Sequence, residues 1–243
     1  MTTCYADAAG LRHDRRWMLI DDQSQFVSQR SYAQMALFSL AQHGDYFQVS
    51  FGGDCIQFHI EERTGTPFES GIWDDKAWSV EVNPVISQWF SEKLGKNVRL
   101  VKMVHEEARL HHSSILDTEI PVSLADAYPY LIAGTESLHL LNEKLTNPVS
   151  MNRFRPNLVI STGKAHEEDD WGTYTIGEAQ FRSLKPCGRC QVVTIDQQTG
   201  QTHPEPLTVL NTYRRENNSV MFGAHAVCIQ EGHVSIGDRV TFL

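Results

Sequence analysis

Short apolar runs separated by polar turns divide the first half of the chain into segments typical of β-strands. Residues 17–20 and 25–29 flank a polar turn, and residues 47–51 and 55–60 flank a Gly-Gly-Asp turn, so each pair predicts a β-hairpin. Apolar and polar side chains alternate over residues 78–82, which is the pattern of a half-buried strand. The first half is therefore predicted to be mainly β.

One segment of the first half has helical spacing instead. Asn83 suits the N-cap of a helix and Pro84 suits its first turn. Apolar side chains then recur at helical spacing up to Leu94, and Gly95 is expected to end the helix. Residues 31–42 fit either a strand or a short helix, and their assignment stays open.

The second half is predicted to contain further short strands and two helices. Short strands at close spacing with glycine turns are typical of β-barrels. The acidic run at residues 167–170 is predicted to be a solvated loop. The remaining predicted strands, including the last of the first half, lie at residues 98–103, 130–132, 158–160, 174–176, 179–184, 224–230, 233–236 and 239–242, and the helices lie at residues 137–145 and 206–214.

Residues 104–120 are polar and lack regular periodicity. Histidine is a common zinc ligand, so the ionisable side chains of this stretch suggest a zinc site, but their irregular spacing favours a solvated loop. We place the domain boundary in this stretch, with a first domain at residues 1–115 and a second at residues 116–243. The side chains concerned are His105, Glu106, Glu107, His111 and His112.

The composition is that of a soluble globular protein, with 41% hydrophobic and 21% charged residues. No apolar run is long enough to span a membrane, and the N-terminal sequence lacks the basic and apolar regions of a signal peptide. Five cysteines, an odd number and mostly scattered, do not suggest a secreted disulfide framework. A reducing, cytoplasmic location is expected.

The formal net charge of -9 argues against a general nucleic-acid-binding function. Within this acidic chain, cations gather at three stretches, and arginine side chains match phosphate geometry well. If the stretches converge in the fold, they form a local anion-binding pocket; the alternative is that each faces solvent. The stretches are Arg15 with Arg16, Arg153 with Arg155, and Lys185 with Arg189.

Cys187 and Cys190 are the only close pair among the five cysteines. The proline and glycine of their run, Lys-Pro-Cys-Gly-Arg-Cys, favour a tight turn, and residues 191–195 predict a buried strand after it. A cation such as Arg189 lowers the pKa of a neighbouring thiol and favours the thiolate, which binds metals or acts as a nucleophile. The alternatives are small core cysteines, a thiol–disulfide pair, which usually precedes a helix, and half of a zinc site, which needs a second close pair.

Several motifs occur together in one order. They are Arg-Phe-Arg-Pro-Asn-Leu-Val-Ile at residues 153–160, the Cys-Gly-Arg-Cys run with Thr194 and Asp196, and Gly-His-Val-Ser-Ile-Gly-Asp at residues 232–238. This combination resembles the MOSC domain, named for the C-terminal part of molybdenum cofactor sulfurases. Asp-Arg-Arg-Trp at residues 14–17 and Gln-Arg at residues 29–30 resemble the N-terminal β-barrel module of the same family. Members of this family include amidoxime-reducing components and bacterial reductases of N-hydroxylated bases.

The resemblance implies a mainly β (α+β) fold, in which a MOSC β-barrel with short helices follows an incomplete N-terminal β-barrel-like module. It also implies a molybdenum cofactor (molybdopterin), a pterin dithiolene that carries a phosphate and an oxo-molybdenum centre; pyridoxal phosphate binding is a further property associated with the family. Cys190 corresponds to the cysteine that ligates the metal and is the implied catalytic residue, and a soft thiolate suits this role. The residues that match cofactor-holding positions or neighbour the ligand are Arg15, Asp126, Arg155, Asn157, Cys187 and Arg189.

The implied activity is the two-electron reduction of the N–O bond in N-hydroxylated bases, amidoximes or hydroxylamines. The chain stops with the last MOSC strand, so a separate ferredoxin, flavoprotein or cytochrome is expected to donate the electrons. A non-catalytic carrier of molybdenum cofactor, or of sulfane sulfur on Cys190, is the alternative. Family members usually begin with a strand that ends in Pro-Val-Lys-Ser; this sequence lacks it, which removes part of the expected phosphate site and leaves cofactor binding open.

Overall fold

The computed structural model describes residues 3–104 and 109–243, which form mostly strands, with three short α-helices. The mainly β fold that the sequence predicts is confirmed. No helix in these residues is long and apolar enough to cross a membrane. The strands are β1 (Thr3–Asp7), β2 (Gly10–Leu11), β3 (Trp17–Ile20), β4 (Phe26–Val27), β5 (Ser39–His43), β6 (Tyr46–Phe51), β7 (Asp54–His59), β8 (Thr64–Ile72), β9 (Asp75–Glu81), β10 (Arg99–Met103), β11 (Leu110–Ser113), β12 (Thr118–Pro121), β13 (Tyr130–Gly134), β14 (Leu158–Ile160), β15 (Thr173–Ile176), β16 (Ala179–Arg189), β17 (Arg215–Glu216), β18 (Ser219–Gln230), β19 (Gly232–Ser235) and β20 (Val240–Phe242), and the α-helices are α1 (Pro84–Leu94), α2 (Thr135–Lys144) and α3 (Glu205–Tyr213).

Two separate sheets contain β3 to β10, whereas β1 and β2 form a third sheet with β19 of the second half. One has the strand order β4-β3-β10-β9-β8 and the other the order β5-β6-β7. Both predicted hairpins are confirmed, because β3 pairs with β4 and β6 pairs with β7 in antiparallel register. A core that includes Leu19, Phe47, Phe58, Trp89 and Leu100 packs together residues of both sheets and of α1.

The caps of α1 are those that the sequence predicts. The Asn83 side chain accepts a hydrogen bond from the backbone N–H of Val85 at 2.8 Å, which satisfies one of the free donors of the first turn. Gly95 ends the helix in the left-handed conformation, with φ 63°. The stretch that the sequence left open contains both candidate elements, since a 3-10 helix at Ala33–Leu37 precedes β5.

The second half is built around the long antiparallel pair β16 and β18, at the centre of the order β14-β13-β18-β16-β15-β20. The register of this pair shifts at several points, including between Pro186 and Gly188. Gly223 has a φ of 72°, and a Cβ atom there would lie 2.5 Å from the carbonyl oxygen of Ile132. A glycine is therefore needed for the close approach of β18 to β13.

The predicted strand at residues 191–195 is wrong. Strand β16 continues through Arg189, and a 3-10 helix at Gln191–Thr194 follows it. The hydroxyl of Thr194 donates to the carbonyl of Gln191 at 2.6 Å, and Val193 is buried in a cluster with residues of α2 and α3. The apolar run is thus buried among side chains of helices and strands without joining a sheet as a strand, and the two thiols lie at the end of a strand rather than before one.

The acidic run at residues 167–170 is not the solvated loop that the sequence predicts. It forms a 3-10 helix in which Glu168 is completely buried. The Glu168 carboxylate accepts hydrogen bonds from the backbone N–H of Gly134 at 3.0 Å and from the hydroxyl of Ser137 at 2.7 Å. These contacts come from distant parts of the chain, so a local charge pattern does not reveal them.

Residues 110–121 form the β11–β12 hairpin, so the prediction of an irregular stretch is wrong for this part. The predicted boundary between residues 115 and 116 falls in the turn of this hairpin, and the division into two domains stays a prediction. His105, Glu106 and Glu107 lie outside the described residues. Among the described residues, no group of three His, Cys, Asp or Glu side chains is placed to hold a metal ion.

Candidate functional site

A cavity of about 570 Å³ is lined by residues from both halves of the chain. One end is polar and cationic, and the remainder is largely apolar. All seven residues that the sequence and its family resemblance nominate line this cavity, although they come from four separate stretches. They are Arg15, Asp126, Arg155, Asn157, Cys187, Arg189 and Cys190.

The two cysteines differ in accessibility. Cys190 follows the last residue of β16 and is partly exposed, whereas Cys187 is only 5% exposed. Arg189 donates a hydrogen bond to the Cys187 sulfur at 3.1 Å, yet burial outweighs this contact and raises the pKa of Cys187. Since a protonated, buried thiol is a poor ligand and nucleophile, Cys190 is the thiol suited to chemistry in the cavity.

Arg189 is held at the cavity wall by two contacts. Besides the Cys187 sulfur, its guanidinium donates to the carbonyl of Phe154 at 2.7 Å. Its Nε is buried and has no hydrogen-bond partner among the described residues. An unpaired buried donor next to Cys190 is a group that an anionic ligand can satisfy.

Arg15 and Arg155 come together through their backbone conformations. Both have a positive φ, 51° and 52°, and the Arg15 guanidinium donates to the Arg155 carbonyl at 2.7 Å. The Arg155 guanidinium makes no hydrogen bond to the described residues, although it lines the cavity. Desolvation, followed by the neighbouring Arg15 charge, lowers the pKa of Arg155; a guanidinium nevertheless stays charged at neutral pH. Two cations therefore meet at this end of the cavity.

Asn157 has a supporting position. Its side-chain oxygen accepts from the backbone N–H of Leu131 at 2.8 Å, and its amide donates to the Asp14 carboxylate. The same carboxylate accepts a hydrogen bond from Arg15. Asn157 thus ties the cationic loop at Arg15 to strand β13.

Asp126 lies at the edge of the cavity and is largely exposed. It accepts a hydrogen bond from the Trp73 indole at 3.1 Å and forms an ion pair with Arg30 at 3.5 Å. The Arg30 guanidinium also stacks over the Trp73 ring, 3.9 Å from its centroid. The sequence offers no signal for Trp73, because only the fold brings it next to Asp126.

His225 is a cavity residue that sequence reasoning left unassigned. It lies on β18, its ring centroid is 4.8 Å from that of Tyr128, and its Nδ1 is buried without a hydrogen-bond partner among the described residues. Burial, and then the charges of Arg189 and Lys185, lower the pKa of His225 to about 3. A neutral imidazole therefore lines the cavity at neutral pH. No local sequence pattern identifies His225 as a site residue.

The cation stretches converge, but only in part. Arg15 and Arg155 line the cavity, whereas their neighbours Arg16 and Arg153 are buried in ion pairs with Asp7 and Asp196. Lys185 lies with its ammonium 5.1 Å from the Tyr128 ring centroid. In each of the first two stretches, one arginine therefore lines the cavity and the other forms a buried ion pair.

Comparisons with known proteins agree on one family. The profile of the MOSC domain matches residues 119–241, and that of the MOSC N-terminal beta barrel domain matches residues 1–97. A molybdenum cofactor sulfurase of Danio rerio is 30% identical over 95% of this chain and 31% of that protein. Mitochondrial amidoxime-reducing component 1 of Homo sapiens is 28% identical over 97% of this chain and 76% of that protein.

The chain thus spans about a third of the length of the sulfurases it matches. Among solved structures, YiiM from Geobacillus stearothermophilus has a TM-score of 0.37 and 18% identity over 48% of this chain and 54% of that chain. This likeness is too distant to support an argument.

Proposed function

Because the chain belongs to the family of MOSC domain proteins, we propose that it is a molybdenum-cofactor-dependent reductase of N-hydroxylated compounds. The observation that carries the proposal is the position of Cys190. Its partly exposed thiol lies at the end of β16, in the same cavity as Arg15, Arg155 and Arg189. The similarity to the amidoxime-reducing component supports the choice of reaction.

The residues at the cationic end fit a pterin cofactor that carries a phosphate. Arg155 has a guanidinium with no hydrogen bond to the described residues, and Arg189 has an unpaired buried Nε. Guanidinium groups bind phosphate oxygens through charge-assisted, often bidentate, hydrogen bonds. Cys190 supplies the soft thiolate that suits molybdenum. The donor set therefore matches both ends of the proposed cofactor.

When bound, the cofactor supplies the two-electron exchange that breaks the N–O bond. Two electrons and two protons convert an N–OH group to N–H and water. The electrons come, in this proposal, from a separate electron-transfer protein of the ferredoxin, flavoprotein or cytochrome type. The chain's own residues bind and orient: Arg15 and Arg155 neutralise the phosphate, and His225 presents a neutral imidazole to the cavity.

The test is reduction of an amidoxime by the protein produced in a cofactor-competent host, with a chemically reduced viologen dye as electron source. Formation of the amidine is measured for the unchanged protein and for the Cys190→Ser variant. We expect turnover in the unchanged protein and none in the variant, because the variant lacks the thiolate ligand. Equal turnover in both would contradict the proposed role of Cys190.

A second candidate is a carrier of molybdenum cofactor or of sulfane sulfur on Cys190. The similarity to molybdenum cofactor sulfurases favours it, together with one partly exposed thiol beside a buried one. Incubation with a persulfide donor, followed by mass spectrometry, distinguishes the two functions. A persulfide on Cys190 with no amidoxime reduction supports the carrier, whereas reduction without persulfide uptake supports the reductase.

A further inference from the structure

The apolar part of the cavity extends into the first half of the chain. Ten of its lining residues belong to the core of the first half or pack against that core, and six of these define what we call the apolar compartment. Trp17 and Leu19 lie on β3 of one sheet, and Phe47, Val49 and Phe58 lie on β6 and β7 of the other, so both sheets line the compartment. The six residues are Trp17, Leu19, Phe38, Phe47, Val49 and Phe58.

Aromatic rings build the walls of the apolar compartment. Trp17 and Phe47 meet edge to face, with centroids 5.0 Å apart and planes at 85°, and Phe47 lies 5.8 Å from Phe58. Such contacts fix the rings in place. A wall of fixed aromatic rings favours a flat or extended apolar group over a hydrated polar one.

The compartment is continuous with the cationic end and open to solvent beside β5. Arg15 precedes Trp17 by two residues, and both line the same cavity. Leu40, on β5, also lines the cavity and is 63% exposed. The cavity can therefore accommodate a molecule that has one polar end and one apolar end.

One of the wall residues also has an unpaired donor. The indole nitrogen of Trp17 is buried and has no hydrogen-bond partner among the described residues. Leaving a buried donor unpaired is unfavourable, and a ligand acceptor can satisfy it. This observation, independent of the apolar walls, points to a ligand in the compartment.

The geometry points to a substrate class: N-hydroxylated compounds whose organic group is a large alkyl or aryl substituent, with the N–OH group at the cationic end and the substituent in the apolar compartment. The identity of the N–OH head group rests on the proposed function. The selection for a large apolar substituent rests on the cavity itself.

The test is a series of straight-chain alkyl amidoximes of increasing length, with the matching alkyl amides as probes that lack the N–OH group. Dissociation constants are measured by isothermal titration calorimetry on the protein produced in a cofactor-competent host. Each added methylene is expected to tighten binding about fourfold until the compartment is full, after which the affinity levels off. Affinity independent of chain length would overturn the inference.

Two matched variants locate the binding. Leu40→Asp places a charge at the opening of the compartment, at an exposed position where folding should be retained. Val85→Asp changes an exposed apolar residue of α1, 68% exposed and outside the cavity. We expect the gain per methylene to fall at least twofold in Leu40→Asp and to stay unchanged in Val85→Asp. The same response in both variants would mean that the alkyl chains bind the surface non-specifically.

Binding and turnover measurements together distinguish an error in the substrate class from an error in the proposed function. Chain-length-dependent binding of amidoximes and amides, lost in Leu40→Asp, without any reduction, supports the compartment and contradicts the reductase. Reduction with the same kcat/KM for short and long amidoximes supports the reductase and overturns the compartment as a selector.

Discussion

Two arginines separated by one residue have opposite environments. Arg153 is buried, donates to the carbonyl of Thr194 at 3.1 Å and pairs with Asp196 at 2.7 Å. Arg155 lines the cavity, and its guanidinium makes no hydrogen bond to the described residues. The first holds the 3-10 helix after Cys190 in place, and the second is available to a ligand.

This contrast gives a prediction for a pair of matched variants. Arg155→Gln should weaken cofactor binding about tenfold to a hundredfold, because it removes charge-assisted hydrogen bonds, and should change the free energy of unfolding little. Arg153→Gln should lower the free energy of unfolding by about 2 kcal/mol, because it removes the hydrogen bonds of a buried guanidinium to the Thr194 carbonyl and the Asp196 carboxylate. Urea unfolding and molybdenum retention after dialysis measure the two effects. An unstable Arg155→Gln protein with normal retention would contradict the assignment.

His225 gives a pH dependence of stability in the cofactor-free protein. Its pKa is about 3 in the folded state and near 6.5 in the unfolded chain, so below pH 6.5 only the unfolded chain binds the proton. Folding stability is therefore lost as the pH falls from 6.5 towards 3, by about 2 kcal/mol at pH 5. The charged or titratable groups that face His225 are Arg189, Lys185, His111 and Tyr128, and burial is the largest cause of the lowered pKa.

The measurement is urea unfolding at pH 7.5 and pH 5 for the unchanged protein and for His225→Asn. The other titrating groups are common to both proteins, so the difference isolates His225. The variant should lose about 2 kcal/mol less on acidification. His139→Asn, which removes an exposed histidine of α2, is the control and should behave like the unchanged protein. Parallel curves for all three proteins would show that His225 titrates normally.

At the scale of elements, Glu168 joins the acidic 3-10 helix to the start of α2. Its carboxylate accepts from Gly134 and Ser137, and a Cβ atom on Gly134 would lie 2.7 Å from it. The buried carboxylate thus lies at the N-terminal end of α2, where a negative charge is favourable. A glycine at position 134 is needed for this close approach.

Glu168→Ala should lower the free energy of unfolding by about 3 kcal/mol, because it leaves the Gly134 N–H and the Ser137 hydroxyl buried and unpaired. Asp170→Ala changes an exposed carboxylate of the same acidic run and should stay within about 0.5 kcal/mol of the unchanged protein. Chemical denaturation of both variants checks this. Similar small losses in the two would mean that the run is solvated after all.

Helices and strands could be predicted from the sequence where residues close to their ends determine them. Turn residues define the two hairpins of the first half, and Asn83 and Gly95 define the ends of α1, because each acts within a few residues. The prediction for residues 191–195 was wrong because this run is buried as a 3-10 helix, by side chains of α2, α3 and neighbouring strands, and not as a strand in a sheet. Periodicity alone cannot distinguish these two ways of burying a short apolar run.

From the sequence, only the site residues that belong to family motifs could be predicted. The family resemblance nominates residues from four stretches, and the fold brings all of them to one cavity. Trp73 and His225 also line the cavity, but neither belongs to a motif. Trp73 reaches the site through its contact with Asp126, and His225 through the pairing of β18 with β16. The assignment of roles to individual residues stays a prediction until it is tested by mutation.

At the scale of the whole molecule, the fold brings together residues that lie far apart in the sequence. Strand β1 pairs with β19, with Thr3 opposite Ser235, and Arg15 reaches Arg155 across the fold. Residues of the first half supply the apolar walls, and residues of the second half supply both thiols. The proposed function therefore belongs to the complete fold rather than to either half.

The most direct measurement is the molybdenum content of the purified protein produced in a cofactor-competent host, compared with Cys190→Ala and Cys187→Ala. The two cysteines lie three residues apart and line the same cavity, so each variant is the control for the other. Near-stoichiometric molybdenum in the unchanged protein and in Cys187→Ala, with none in Cys190→Ala, is the predicted result. Retention of molybdenum in Cys190→Ala, or its loss only in Cys187→Ala, would contradict the account.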